Sequence, residues 1–139
     1  QNTASLAVDG NLSTMSHTIC IENADFWYSM NFDAVYCFSQ IVIIQSHDND
    51  NANRMDGTKV NVVNSDTETQ SLCGVLQVKM DGTLEAQTYR IPCNLKCGDK
   101  VRLDQPNGNC IHMKEIMAFQ KPGLTYALFC SMSFIAQLI

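Results

Sequence analysis

No run of basic residues occurs in this chain. Nine Lys and Arg stand against fourteen Asp and Glu, a net charge of −5. That balance argues against a binder of nucleic acid or of an anionic membrane surface. Sustained helical periodicity, internal repeats and linker segments are missing as well, and 139 residues fit one domain. A membrane-spanning helix needs roughly 20 apolar residues. The uncharged C-terminal run, Leu124 to Ile139, has sixteen. No two histidines have i, i+4 spacing, and there is no Gly-rich phosphate loop and no nucleophile elbow. The chain is therefore expected not to be an enzyme. It opens on Gln1 without Met or leader, as expected of a processed domain or a fragment.

The hydrophobic share, 45%, is that of a folded globular protein. Turn formers punctuate it at Asp9-Gly10-Asn11, Asp48 to Asn53, Asp56-Gly57, Asp81-Gly82 and Pro106 to Asn109. Between them lie β-rich runs: Phe26 to Phe32, Ser39 to Gln45, Thr58 to Val63, Gly74 to Met80, Gln87 to Cys93, Lys100 to Asp104 and Ile111 to Phe119. Many short strands between turn signals predict an all-β antiparallel sandwich or barrel. Ile41-Val42-Ile43-Ile44 predicts a strand buried on both faces. Trp27, the lone tryptophan, is expected in the core. The residues after about 119 read as an apolar tail outside the domain. A truncated membrane anchor and an interface helix are the alternatives for it.

Seven cysteines suggest an oxidising compartment, hence secretion, and an odd number leaves one without an internal partner. Cys130, in the tail, is the expected odd one. Cys73 and Cys93 flank two runs joined by the Asp81-Gly82 turn, which predicts a cross-strand disulfide in a hairpin. Cys20, Cys37, Cys97 and Cys110 leave three pairings open. Cys93, Cys97, Cys110 and His112 also offer soft zinc ligands, but Cys93 already has a partner in Cys73.

Ala7-Val8-Asp9-Gly10-Asn11, followed by Ser16-His17-Thr18-Ile19-Cys20, then Phe26-Trp27 and Arg54-Met55-Asp56-Gly57-Thr58-Lys59-Val60, and the late Ile111-His112-Met113-Lys114-Glu115-Ile116, resemble the F-type lectins. These fucolectins belong to the discoidin, or coagulation-factor type C, group. The resemblance covers residues 1 to about 119. It implies a jelly-roll β-sandwich of galactose-binding-domain type, a structural calcium ion, a shallow sugar site on loops at one end, and a role in innate defence. It also implies one more strand upstream, whose lack would leave a sheet edge open.

Calcium takes several oxygens from carboxylates and backbone carbonyls, and a tight Asp9-Gly10-Asn11 turn can aim such oxygens at one point. The resemblance adds Glu115, the carbonyls of Lys114 and Leu6, and Thr18, beside the position where a small hydroxyl residue is usual. Lys114 stands where the family often has the cysteine that pairs with Cys20, a place that Cys110 could fill instead, with the three pairings still open. Asn11-Leu12-Ser13 is also a glycosylation sequon, expected to be unused if Asn11 serves the ion. For the sugar, the resemblance carries an early histidine to His17, the first arginine to His47, the orienting aspartate to Asn49 and the second arginine to Arg54. Arginine suits this task because its planar fork meets pairs of oxygens. The implied partners are fucosylated glycans, with oligomerisation left open. The alternative is a discoidin-like protein- or lipid-binding adhesion module with a degenerate sugar site. It would need exposed apolar residues on loop tips, which are not evident in the sequence.

Overall fold

The structure is a computed structural model, and it describes residues 3–21, 24–45, 53–79, 86–106 and 108–121. A short 3-10 helix, Ala4–Val8, is followed by β1 (Ser16–His17), β2 (Phe26–Gln45), β3 (Lys59–Asn64), β4 (Thr69–Val75), β5 (Gln87–Gln105), β6 (His112–Met113) and β7 (Glu115–Gln120). β1 pairs with β6 in a small sheet, and the other five strands run antiparallel in the order β4-β3-β5-β2-β7. The fold is the expected all-β jelly-roll sandwich.

Four of the expected strands are two long ones. Phe26 to Phe32 and Ser39 to Gln45 are halves of β2, and Gln87 to Cys93 and Lys100 to Asp104 are halves of β5. No Gly or Asn cluster separates the halves of β2, so the chain bends without breaking its ladder. The β2–β5 register slips between Asn31 and Tyr36 and again between Phe38 and Gln40. Opposite, Asn94 and Leu95 take positive φ of 51° and 60°. Bulges and bends of this kind let one strand pair serve both layers of a sandwich. Cys37 and Cys97 sit directly opposite each other at the bend and are bonded.

The layers meet over an apolar core. Val60 and Val62 of β3 and Val101 and Leu103 of β5 face Ile41, Ile43 and Ile91, all buried. Ile41, Val42 and Ile43 are all buried, so both faces of the strand are covered, as the unbroken apolar run predicts, while β5 and β7 flank it in the sheet. β4 and β5 are not hydrogen-bonded neighbours, yet a Cβ on Gly74 would lie 3.0 Å from Ile91 Cγ2. They pack face to face, and the Cys73–Cys93 disulfide joins them there. The pairing is the expected one, but its geometry is not a hairpin. β4 spans 69–75, where 74–80 was expected, and it pairs with β3. The β3–β4 turn is closed by Asn64 Oδ1, which accepts from the amides of Asp66 and Thr67. Asp81 and Gly82 lie outside the described residues.

The remaining bridges are Cys20–Cys110 and Cys37–Cys97, so the Cys93, Cys97, Cys110 zinc set is withdrawn into disulfides. Cross-linking over 20 and 90 residues contributes about 3 and about 4–5 kcal/mol in the chain-entropy model. Cys130 and the 124–139 tail lie outside the described residues. Trp27 departs from expectation. It alternates with the buried Phe26 and Tyr28, so it points outward and is half-buried beneath the Arg102 guanidinium, 4.9 Å from its ring centroid. β7 ends the five-stranded sheet, beside a cavity of about 380 Å³ lined by Met30, Phe38 and Ile116.

Candidate functional site

Two polar clusters stand out. The first follows the 3-10 helix, where Gly10 at φ 74° reverses the chain. Thr14 Oγ1 lies 2.7 Å from Asn11 O, 2.8 Å from Asp9 Oδ2 and 3.5 Å from Leu6 O. One hydroxyl proton cannot satisfy three acceptors, so the cluster is rich in oxygen lone pairs. Glu115, at the start of β7, joins it. The Asn11 amide donates to both Asp9 Oδ1, at 2.8 Å, and Glu115 Oε1, at 3.1 Å.

Asp9 is held below the usual carboxylate range by the Asn11 amide, helped by the Thr14 hydroxyl. Glu115, 6% exposed, is pushed up by burial and by its contact with Asp9. Burial also raises Tyr28, whose hydroxyl donates to Ala4 O and ties the 3-10 helix to β2. Among the described residues neither carboxylate has a cationic partner, since the ion pair found there is Arg102–Asp104. Hard oxygens around two crowded carboxylates fit a divalent cation of the calcium kind.

Leu6, Asp9, Asn11 and Glu115 are thus brought together, and Thr18 is not. Thr18 Oγ1 accepts from the Ile111 amide at 3.0 Å, in a buried contact that fastens the segment after β1 to the one before β6. Thr14 supplies the hydroxyl instead. Its signal was the Asn11-x-x-Thr14 spacing, which closes a turn through the Thr14 amide and Asn11 O. Lys114 reaches into the loop with its amine, which donates to Leu12 O at 2.9 Å. The Asn11 side chain folds back on the Ser13 amide.

The second cluster surrounds the Cys20–Cys110 disulfide, with Cys20 exposed and Cys110 buried. His17 Nε2 lies 3.7 Å from Cys20 Sγ, and an Arg54 terminal nitrogen donates to the same sulfur at 3.8 Å. His17 at the end of β1 and Arg54, which lies 34 residues beyond Cys20, therefore converge on one bridge. His47 and Asn49 lie outside the described residues. Arg54 makes no ion pair with Asp56, whose carboxylate accepts from the Val78 amide.

Gln105 holds Arg54 in place. It is almost wholly buried at the end of β5, and its Nε2 donates to the carbonyls of Arg54 and Asp56. Its Oε1 accepts from Thr58 at 2.6 Å. The sequence reading missed Gln105, whose only signal is its place on the inward phase of β5. The arrangement presents a polarisable apolar sulfur surface flanked by an imidazole and a guanidinium. Such a surface can seat the carbon face of a small ring while the flanking groups reach its hydroxyls.

This fold and these loops define a galactose-binding-type jelly roll. Residues 6–103 match the F5/F8 type C family described as the NedA-like, galactose-binding domain, and the chain belongs to that family. It is similar to the fucolectin from striped bass (Morone saxatilis) serum, with a TM-score of 0.71 at 17% identity over 84% of this chain. The chain spans 41% of that fucolectin. A Streptococcus pneumoniae fucose-binding module superposes with a TM-score of 0.66 at 18% identity, over 86% of each chain. The family 32 carbohydrate-binding module of Clostridium perfringens NanJ, in complex with galactose, gives 0.64 at 18% identity, over 85% of each. At such identities the likeness is one of fold. No curated protein matches the sequence significantly.

Proposed function

We propose that this chain is a secreted, non-catalytic, calcium-dependent carbohydrate-binding module for fucosylated glycans. The observation that carries the reading is the convergence of His17 and Arg54 on the exposed Cys20 sulfur. Fucose is a 6-deoxy sugar, so its methyl and ring C–H groups suit a sulfur surface, and its hydroxyls suit the Arg54 fork. His47 and Asn49 are assigned to the same seat by sequence position. The names of two neighbours, a striped bass fucolectin and a pneumococcal fucose-binding module, support the sugar class. Three disulfides fit an oxidising compartment, and glycan recognition in innate defence is the role the resemblance implies.

Leu6, Asp9, Asn11, Thr14 and Glu115 would hold the calcium ion. It would supply positive charge between two carboxylates and so join the first loop to β7. The testing experiment is a glycan array probed with and without calcium. Calcium-dependent binding to fucosylated glycans is expected, and Arg54→Ala is expected to abolish it while leaving Tm nearly unchanged. Full binding by Arg54→Ala would remove the site assignment.

One observation favours the discoidin-like alternative. Leu12, Ile19 and Ile21 are 52%, 60% and 52% exposed, so the loops do carry apolar tips that the sequence alone did not reveal. Flotation with phosphatidylserine vesicles separates the readings. Binding lost in Ile19→Ser with Ile21→Ser, with no glycan binding, would favour the lipid-binding module.

A further inference from the structure

A second groove lies on the outer face of the sheet. Strand register places Trp27 opposite Asp104 and Asp104 opposite Lys59, so one row crosses β2, β5 and β3. The concavity around them holds about 240 Å³, and Asp25 stands on its rim. That is room for one six-membered sugar ring.

Arg102 is fixed there before any ligand arrives. Its Nε donates to Asp104 Oδ1 at 2.7 Å, and its guanidinium lies over the Trp27 ring. Asp104 is itself held by Asn61 Nδ2 at 2.9 Å and Gln70 Nε2 at 3.3 Å. Asn61 is buried, which anchors the network in the sheet. The terminal amino groups of Arg102 have no partner among the described residues, and its side chain is 35% exposed. Such a fork is pre-organised to donate a pair of hydrogen bonds.

The remaining free groups decide the ligand. Lys59 adds a donor and Asp25 an acceptor, and neither has a partner among the described residues. Two cations and two carboxylates balance in the groove, within a chain of net charge −5. An anion would meet Asp25 and gain no net field. A cation would meet Arg102. A neutral ring whose hydroxyls both donate and accept matches all of these groups, and the exposed part of Trp27 not covered by Arg102 offers apolar surface to its C–H groups. Gln105, which carries the Arg54 turn, also lines this groove, so the two surfaces adjoin.

We propose that the Trp27–Arg102 groove is a separate subsite for a neutral pyranose; together with sugar binding at the sulfur seat, as proposed above, it would make the module bivalent. It stands on its own residues and does not need the sulfur seat to bind sugar.

Trp27 is the lone tryptophan, so its fluorescence reports the groove directly. The intact protein would be titrated with galactose, glucose, fucose and, as an anionic control, glucuronate. A saturable change with a neutral hexose is expected, weakened about tenfold or more in Arg102→Ala, since hydrogen bonds to charged groups are the strong ones. Asp25→Asn, an exposed change with no bonds to lose, is expected to weaken it severalfold without moving Tm. Arg54→Ala, which removes the sulfur seat, is expected to leave the response in place. No saturable response to any neutral sugar, a response confined to glucuronate, or a response lost in Arg54→Ala would each overturn the proposal. A response unaltered by both Arg102→Ala and Asp25→Asn would overturn it too.

Discussion

Gln105 shows how much one side chain can decide. It is almost wholly buried at the end of β5, and its amide makes three bonds to the turn that carries Arg54. Among the described residues the Arg54 side chain bonds to the Cys20 sulfur, so its aim depends on that turn. Gln105→Leu keeps the volume and removes the bonds, leaving the Thr58 hydroxyl and the Arg54 carbonyl unpaired. A loss of about 1–3 kcal/mol is expected in urea unfolding. Glycan affinity is expected to fall with it, although Gln105 does not line the sulfur seat. Unchanged affinity would mean that the Arg54 turn holds its own shape.

At the scale of elements, the junctions leave the least room for change. Gly98 sits where β5 crosses β3, and a Cβ there would collide with the Val63 carbonyl and the Val62 side chain. Backbone is on one side of that clash, so the strand must move. Gly98→Ala is expected to destabilise by about 1–3 kcal/mol or more, read as a lower unfolding midpoint. The Glu115 end of β7 responds to pH. Its pKa is raised in the fold, so the folded state holds the proton longer than the unfolded chain. In chelated protein this contribution is present at low pH and is lost as pH rises from the ordinary carboxylate range through the raised value. Asp9 works in the opposite sense, and its contribution is lost on acidification. Glu115→Gln removes the buried charge. It is expected to raise the Tm of chelated protein at pH 7 and to erase the calcium-dependent gain. A chelated Tm that falls in this variant would contradict the like-charge crowding.

For the whole molecule, the proposed calcium ion would act together with the disulfides. An ion bound only by the folded chain stabilises it by about 2.7 kcal/mol at a hundredfold excess over Kd. Chelation is then expected to lower Tm by several degrees, more at low salt. No shift would remove the calcium proposal. The three bridges hold the segment after β1 to the one before β6, the β2–β5 bend and the sandwich layers, so each secures a different long-range contact. Much of this was legible early. The period of two in Phe26 to Phe32, the unbroken Ile41 to Ile44 run and the Gly-Asn punctuation all mark strands. The Asp9-Gly10-Asn11 turn and Arg54 were legible because they are local motifs. Thr14 in place of Thr18, the role of Gln105 and the outward Trp27 were not, because each depends on which strand lies beside which.

The sequence by itself determined an acidic all-β domain, the turns at Asp9-Gly10-Asn11 and Asp56-Gly57, and residue types whose chemistry suits calcium and sugar. These follow from local chemistry: alternation, glycine's backbone freedom and the donor inventory of each side chain. Only the tertiary structure decided the pairing of Cys20 with Cys110, the meeting of His17 and Arg54 on that bridge, and the groove beside Trp27. Those depend on the bend that carries β2 and β5 through both layers. A bend made by register slips leaves almost no trace in a one-dimensional pattern, because each half still reads as an ordinary strand.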